Sequence, residues 1–174
     1  ERFPEVLGDG SEFGLHLHYS YEGDTPLETG GGMQHALPLL GEAPFIAING
    51  DIWSTHPLDT LPREPAGLAH GVLIPLPAFR TPGDFETVAS PLLGSASGLH
   101  TLAGIGVYRP ELLLQCQSDW SQAGTQHPRF KLAPILRKAM QARQVTGEHF
   151  LGQWTDVGTP ERLAELDQTL RNRI

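Results

Sequence analysis

The chain has 174 residues, and 12 Lys and Arg residues against 20 Asp and Glu residues give a formal net charge of −8 at pH 7. This acidic balance, without a stripe of cations, argues against a nucleic-acid partner, and the length suits a single domain over residues 1–174. Because Cys116 is the only cysteine, no internal disulfide can form. No apolar run long enough to span a membrane and no signal-peptide pattern is visible. The sequence therefore predicts a cytoplasmic protein with no membrane partner, in which Cys116 is a small buried apolar residue.

Apolar residues recur at helical spacing at the start of the chain, at Phe3, Val6 and Leu7, until Gly8-Asp9-Gly10 ends the pattern. Neither a Met nor a capping residue precedes this first turn. We therefore expect a helix here, and we expect the chain to be a piece of a longer protein.

Residues 15–21 alternate strictly between apolar or aromatic and polar side chains, which predicts a strand. His16 and His18 share its polar face and could in principle bind a metal ion. Because no third ligand lies nearby in sequence, a half-exposed strand face is the favoured interpretation.

A glycine triplet, Gly30 to Gly32, lies just before a helical pattern, so the sequence predicts a glycine-rich loop that leads into a helix. Glycines allow a ligand to approach the backbone, and a helix start offers N–H groups to an anion. Neither GxGxxG nor the P-loop pattern is matched, so composition alone leaves a ligand loop and a flexible loop equally open. The apolar positions of the following helix are Met33, Ala36, Leu37 and Leu40.

The run Phe45–Ile48 is apolar without alternation, which is typical of a parallel strand buried on both faces. Asp51 follows directly, and ligands of open α/β sheets lie beyond such carboxyl ends. Asn49-Gly50 would suit a tight hairpin, but the residues after Asp51 supply no return strand. We therefore favour a ligand-binding role for Asp51 over a turn.

Further strands are predicted at 68–74, 101–108 and 149–154, and further helices begin at Pro110, after Lys131 and after Thr159. Two glycines inside the 101–108 strand indicate a bulge or close approach of a ligand. Lys131 opposes the dipole of its helix, which a surface role leaves unexplained. Alternating strands and helices predict an α/β fold with a mixed sheet flanked by helices.

Four motifs in this order resemble those of nucleotidyltransferases that make nucleotide-activated sugars from a sugar 1-phosphate and a nucleoside triphosphate. They are Leu27-Glu28-Thr29-Gly30-Gly31, Asn49-Gly50-Asp51, Ala103-Gly104-Ile105 and Trp154-Thr155-Asp156-Val157-Gly158-Thr159. The resemblance covers nearly the whole chain and implies a Rossmann-like fold of the nucleotide-diphospho-sugar transferase type.

The resemblance also implies a role for each motif. Asp51 and Asp156 would be the catalytic carboxylates and the ligands of a Mg²⁺ cofactor. Leu27, Glu28, Thr29, Gly30 and Gly50 would bind the nucleotide. Asn49, Gly104, Lys131 and Trp154 would bind the sugar phosphate.

Within that family, three stretches, one of which extends the first motif, resemble the N-acetylmuramate α-1-phosphate uridylyltransferases of bacterial cell-wall recycling, which implies UTP and N-acetylmuramate 1-phosphate as substrates. They are Leu27 to Gly32, Phe130-Lys131-Leu132-Ala133-Pro134 and Gly147-Glu148-His149-Phe150. The residues themselves choose neither the sugar, the base nor the oligomeric state. A mannose- or glucose-1-phosphate nucleotidyltransferase and a non-catalytic nucleotide-sugar-binding module remain as alternatives. A metal-dependent glycosyltransferase is disfavoured because Asp51 is followed by Ile52 and Trp53 instead of completing Asp-x-Asp.

One departure from the family concerns the triphosphate. The family's glycine-rich loop with an Arg, and a later Pro-Lys-Pro with a phosphate-binding Lys, have no counterpart in this sequence. This agrees with the helix that starts at the first residues. We therefore expect the triphosphate-binding segment to be missing from the chain, and the chain alone to be inactive.

Overall fold

The computed structural model describes residues 2–77, 100–114 and 129–173, so the expectation for Cys116 lies outside the described residues. The described strands are β1 (Phe45–Ile48), β2 (Ile52–Ser54), β3 (Ala69–Pro75), β4 (His100–Tyr108), β5 (Val145–His149) and β6 (Trp154–Asp156). The described α-helices are α1 (Arg2–Leu7), α2 (Glu28–Leu40), α3 (Pro110–Leu114), α4 (Leu132–Gln141) and α5 (Pro160–Arg171). Short 3₁₀ turns cover Ser11–Phe13 and Leu58–Thr60. None of the described helices has the length and apolar character needed to cross a membrane.

The described strands form one four-stranded sheet in the order β1-β4-β3-β5 and one two-stranded ribbon of β2 and β6. In the larger sheet, β4 is antiparallel to both of its neighbours, whereas β3 and β5 are parallel. The prediction of a mixed sheet with helices is therefore confirmed. The ribbon is antiparallel, with Ile52 opposite Asp156.

Two clusters of buried side chains form the core. The first joins β3, β4 and β5 to the helices, and its members are Ala69, Tyr108, Leu112, Leu113, Leu132, Leu136, Ala139 and Val145. The second consists of Leu61, Val72, Ile74, Ala103, Ile105 and Val107, against which Ile52 and Trp154 of the ribbon pack. Successive strand residues point to opposite faces, so β4 contributes to both clusters and links the helical layer to the ribbon.

The prediction of a buried parallel strand at Phe45–Ile48 is wrong in two respects. β1 is antiparallel to β4 and lies at an edge of the described sheet. Ile46 and Ile48 are each 48% exposed. An unbroken apolar run shows that both faces of a strand are apolar, but it does not specify the direction or the number of its neighbours.

The strand predicted at 15–21 is not formed. This segment instead folds back onto the turn that ends α1, where the Leu15 amide donates to the Gly10 carbonyl at 3.0 Å and the Leu17 amide to the Asp9 carbonyl at 2.8 Å. The Tyr19 hydroxyl donates to the Gly8 carbonyl at 2.6 Å. A segment with alternating apolar and polar residues forms a β-strand only when it pairs with a neighbouring strand. Among the described residues, this segment pairs with none.

The strand predicted at 149–154 is also wrong, since β5 ends at His149 and β6 begins at Trp154. The reason is strand β2, which was not predicted. Because β2 pairs with β6, Trp154 belongs to the two-stranded ribbon and not to the large sheet. The hairpin at Asn49-Gly50 was correctly rejected, because β2 pairs with β6 and not with β1. The helix that starts at Pro110 and the one capped by Thr159 agree with prediction, and β3 and β4 agree to within one residue at each end, whereas β5 was not predicted.

Candidate active site

Asp51 and Asp156 reach the same place from distant parts of the chain. Asp51 lies in the turn between β1 and β2, and Asp156 is the last residue of β6. The ribbon places Ile52 opposite Asp156, and the Val157 amide donates to the Asp51 carbonyl at 2.7 Å. The two carboxylate-bearing segments are thus fixed to each other by main-chain hydrogen bonds.

Gly158 separates the two carboxylates. A Cβ atom at this position would lie 3.0 Å from Oδ1 of Asp156 and 3.1 Å from Oδ2 of Asp51. The Gly158 amide donates to Oδ1 of Asp156 at 2.8 Å, and Nη2 of Arg162 lies 3.1 Å from the same oxygen. Asp156 is buried, whereas Asp51 is exposed. Gly158 therefore leaves a small space between the two carboxylates, which a Cβ atom would contact closely.

This donor set fits a divalent cation of the magnesium type. Mg²⁺ prefers oxygen ligands and is often held by one or two carboxylates, with water and substrate phosphates completing its shell. Among the described residues, no cluster of three or more His, Cys, Asp or Glu side chains is arranged to hold a metal ion by protein ligands alone. The pair therefore suits an ion shared with a phosphorylated substrate.

A cleft of about 370 Å³ lies beside this pair, between the carboxyl end of β1, the middle of β4 and the start of α4. Asn49 and Ile52, which flank Asp51 in sequence, line it. Trp154 lines it too and shares a face of β6 with Asp156, because the two are separated by one residue. Its other lining residues include Glu28, Thr29, Met33, Ala103, Gly104, Tyr108, Lys131, Pro134 and Arg137.

Asn49, Gly104 and Trp154 form a connected floor. The Asn49 amide donates to the Gly104 carbonyl at 2.8 Å, and Nε1 of Trp154 donates to the Ala103 carbonyl at 2.8 Å. Gly104 has a φ of +74°, and a Cβ there would lie 2.8 Å from Nδ2 of Asn49. The β3–β4 register shifts nearby, between Gly71 and Leu73. The bulge predicted for this strand is therefore present, and it presents the backbone of β4 to the cleft.

The glycine triplet is not a loop, which corrects the sequence interpretation. α2 begins at Glu28, so the three glycines lie in its first turns. A Cβ at Gly30 would come within 2.5 Å of the Phe130 ring, and the Gly31 amide donates to the Phe130 carbonyl at 3.1 Å. Gly30 therefore allows α2 to pack closely against the segment that precedes α4, and the Gly31 amide joins the two.

The backbone around Glu28 is held in an unusual conformation. Glu28 has a φ of +64°, a region that residues other than glycine rarely adopt, and its carboxylate pairs with Arg129 at 3.0 Å. The neighbouring Leu27 amide donates to Oε2 of Glu22 at 2.6 Å, and its carbonyl accepts from the Phe130 amide at 3.1 Å. Such strain is commonly found where structure positions groups for a ligand.

Comparison with known proteins identifies relatives at the sequence level. No family model matches the chain. It is 39% identical over 170 residues to the N-acetylmuramate alpha-1-phosphate uridylyltransferase of Neisseria meningitidis serogroup B, covering 92% of this chain and 70% of the relative.

The chain belongs to the N-acetylmuramate α-1-phosphate uridylyltransferase family.

A second member of this family, from Caulobacter vibrioides, is 30% identical over 142 residues, which cover 78% of this chain and 58% of the relative. The family resemblance predicted from the motifs is therefore confirmed. The chain spans 70% of the length of the Neisseria relative.

Two solved structures share the fold of this uridylyltransferase-family chain. A protein assigned as a glucose-1-phosphate thymidylyltransferase from Bacillus anthracis has a TM-score of 0.70 at 16% identity, covering 98% of this chain and 71% of the other. The inositol-1-phosphate CTP transferase from T. maritima has a TM-score of 0.69 at 15% identity, covering 95% and 69%. The predicted nucleotide-diphospho-sugar transferase fold is thus confirmed, whereas the roles of individual residues stay predictions.

The structure distributes the predicted site residues of this family member over three places. Glu28, Thr29, Asn49, Gly104, Lys131 and Trp154 line the cleft. Asp51 and Asp156 form the pair beside it, with Gly50 exposed in the adjoining turn. Leu27 and Gly30 are buried and contact Phe130, so they support the segment that carries Lys131 into the cleft.

Three residues of the site were missed by sequence reasoning. Tyr108 lines the cleft and is buried, which raises the pKa of its phenol to about 12, so it adds no negative charge. Arg162 reaches Asp156 from the first turn of α5. Arg137 lies six residues after Lys131 and three after Pro134, and helical spacing could have placed it on the same wall.

Proposed function

We propose that the protein transfers a uridylyl group from UTP to N-acetylmuramate 1-phosphate, releasing pyrophosphate and forming UDP-N-acetylmuramate for cell-wall recycling in the cytoplasm. One observation carries the proposal: a sugar-sized cleft has the Asp51–Asp156 pair at one side and Lys131 on its wall. Membership of a family whose relatives are named for this reaction supports the choice of sugar and base.

The chemistry requires no nucleophile from the protein. A phosphate oxygen of the sugar 1-phosphate would attack the α-phosphorus of UTP, and the bond to the departing pyrophosphate would break in line. Bound Mg²⁺ would neutralise charge on the reacting phosphates. Asp51 and Asp156 would hold that ion, and Gly158 leaves room for both carboxylates to do so.

The cleft residues would position the sugar phosphate. Lys131 immediately precedes α4 and would act as a point charge toward the phosphate, with the first N–H groups of the ten-residue helix beside it. Asn49 and Gly104 would support the sugar from the floor. Glu28 and Thr29, which lie beside the segment that leads to Lys131, would contact the nucleotide.

Pyrophosphate release from the complete gene product tests the proposal. UTP and dTTP would each be supplied with N-acetylmuramate 1-phosphate, N-acetylglucosamine 1-phosphate or glucose 1-phosphate, in the presence of Mg²⁺. The highest kcat/KM is expected for UTP with N-acetylmuramate 1-phosphate. A higher value for glucose 1-phosphate, or tight binding of the nucleotide sugar without any turnover, would overturn it.

Asp51→Asn is expected to lower Mg²⁺-dependent turnover by about 100-fold or more, because it removes one of two anionic metal ligands and several kcal/mol of charge stabilisation. Asp59→Asn is the matched control, since Asp59 is an exposed residue of the 3₁₀ turn after β2. Steady-state rates of both variants over a range of Mg²⁺ concentrations make the comparison. Full turnover by the Asp51 variant would rule out the assigned role.

A further inference from the structure

The Asp51–Asp156 pair has a cation of the protein itself beside it. Nη2 of Arg162, in the first turn of α5, lies 3.1 Å from Oδ1 of Asp156. A Cβ atom on Gly158 would lie 3.5 Å from that Nη2 and 3.1 Å from Oδ2 of Asp51. The guanidinium group therefore borders the same small space as the two carboxylates.

The negative charge of Asp156 is already offset by its surroundings. Its side chain is 13% exposed and that of Arg162 is 29% exposed, so water screens their attraction less than it screens a surface ion pair. The Gly158 amide donates to Oδ1 of Asp156 at 2.8 Å. The carboxylate also lies shortly before the start of the 12-residue helix α5, whose peptide dipoles favour an anion.

A divalent cation at the pair would meet this positive charge. A metal ion and a guanidinium group that share one carboxylate repel each other, and the repulsion is strong where the site is partly shielded from water. Among the residues that the structure describes, no group of three or more His, Cys, Asp or Glu side chains is placed to compensate for that repulsion. The triphosphate of UTP supplies several anionic oxygens, and Mg²⁺ readily shares its shell between carboxylates and such phosphates.

We infer that Arg162 is a built-in counter-cation of Asp156, which prevents the carboxylate pair from binding a divalent cation firmly until the nucleotide phosphates are present. This inference rests on the proposed function, because it presumes that Asp51 and Asp156 are the metal ligands. It adds an order of binding to that function: the site accepts the ion together with the nucleotide and not before it.

Metal binding without nucleotide tests the inference directly. Mn²⁺ suits the same oxygen ligands as Mg²⁺, and its binding to the complete gene product can be followed by electron paramagnetic resonance. Arg162→Gln removes the charge but retains an amide donor, and we expect it to lower the Kd for Mn²⁺ about 5- to 30-fold. Arg162→Met should give the same gain without the donor, whereas Arg162→Lys, which retains the charge, should remain near the wild-type value. A gain in affinity is informative because damage to the fold would weaken binding.

Two further proteins make the result specific to the pair. Arg171→Gln removes an equal charge from the same helix, at a side chain that is 77% exposed and pairs with Asp167, and should leave the Kd for Mn²⁺ unchanged. Asp156→Asn combined with Arg162→Gln should abolish the gain, because the carboxylate that Arg162 neutralises is then absent.

The outcomes separate the inference from the proposed function. If Arg162→Gln and Arg162→Met bound Mn²⁺ no more tightly than the wild type, while Asp51→Asn lost Mg²⁺-dependent turnover, the counter-cation role alone would be overturned. If Asp51→Asn retained full turnover, the metal site of the proposed function would fail, and the role of Arg162 would fail with it.

Discussion

Tyr108 belongs both to the cleft and to the helical core cluster, so its protonation state would affect both the proposed ligand binding and stability. Burial raises the pKa of its hydroxyl from 10.0 to about 12. The phenol is therefore neutral throughout the pH range in which a phosphorylated ligand would bind. An ionised group at this position would repel the phosphorylated ligand that we propose for the cleft.

The free energy of unfolding should fall at high pH because of Tyr108. The unfolded chain loses this proton near pH 10, while the folded protein keeps it until about 12, so the contribution is complete below pH 10 and is lost as the pH rises toward 12. The loss amounts to at most about 3 kcal/mol. Urea denaturation between pH 8 and 11 should show a smaller decline for Tyr108→Phe than for the wild type.

Tyr21→Phe is the control for that experiment, because Tyr21 is 57% exposed. It should follow the wild-type decline with pH. If Tyr108→Phe and Tyr21→Phe declined equally, burial of Tyr108 would not be the cause of the alkaline loss.

At the scale of secondary-structure elements, β5 is tied to two other segments by one carboxylate. Oε1 of Glu148 lies 2.5 Å from Nε2 of His56, which follows β2, and Oε2 lies 3.6 Å from Nε2 of His70 on β3. The His56 side chain is 3% exposed. This cluster holds the segment after β2, and therefore the ribbon with Asp156, against the large sheet.

Glu148→Ala should destabilise the protein by about 1–3 kcal/mol, because it leaves a buried imidazole without its hydrogen-bond partner. Glu165→Ala, on the exposed surface of α5, should change the unfolding free energy by less than about 0.5 kcal/mol. Urea denaturation at neutral pH measures both. An equal effect of the two substitutions would show that the histidine cluster does not fasten the ribbon.

At the scale of the whole molecule, the described cleft and carboxylate pair are the sites that we propose for a sugar phosphate and a metal ion. The sequence contains no counterpart of the family's arginine-bearing triphosphate loop. We therefore expect the 174-residue chain by itself to bind N-acetylmuramate 1-phosphate in calorimetry but to release no pyrophosphate when UTP is added. Sustained pyrophosphate release by this chain alone would contradict that expectation.

Much of this architecture was predictable from local patterns. The caps and spacing of α5, the helix after Lys131 and the strand at β4 depend on neighbouring residues, so the sequence specified them. The strand predicted at 15–21 failed because its alternation lacks a partner among the described residues. Trp154 was assigned to the wrong strand because its partner, β2, lies about one hundred residues earlier in the chain.

The sequence by itself determined which residues are candidates for the chemistry, because the Asp51, Gly104, Lys131 and Asp156 motifs were recognisable in their order along the chain. Only the tertiary structure decided how they meet. Pairing of β2 with β6 brings Asp51 and Asp156 to the two sides of Gly158. The glycine triplet, which was predicted as a loop, lies in α2 instead, where Gly30 packs against Phe130. The wall shared by Lys131 and Arg137 likewise follows from the docking of α4 beside β4. These distances join residues far apart in sequence, so no local pattern could fix them.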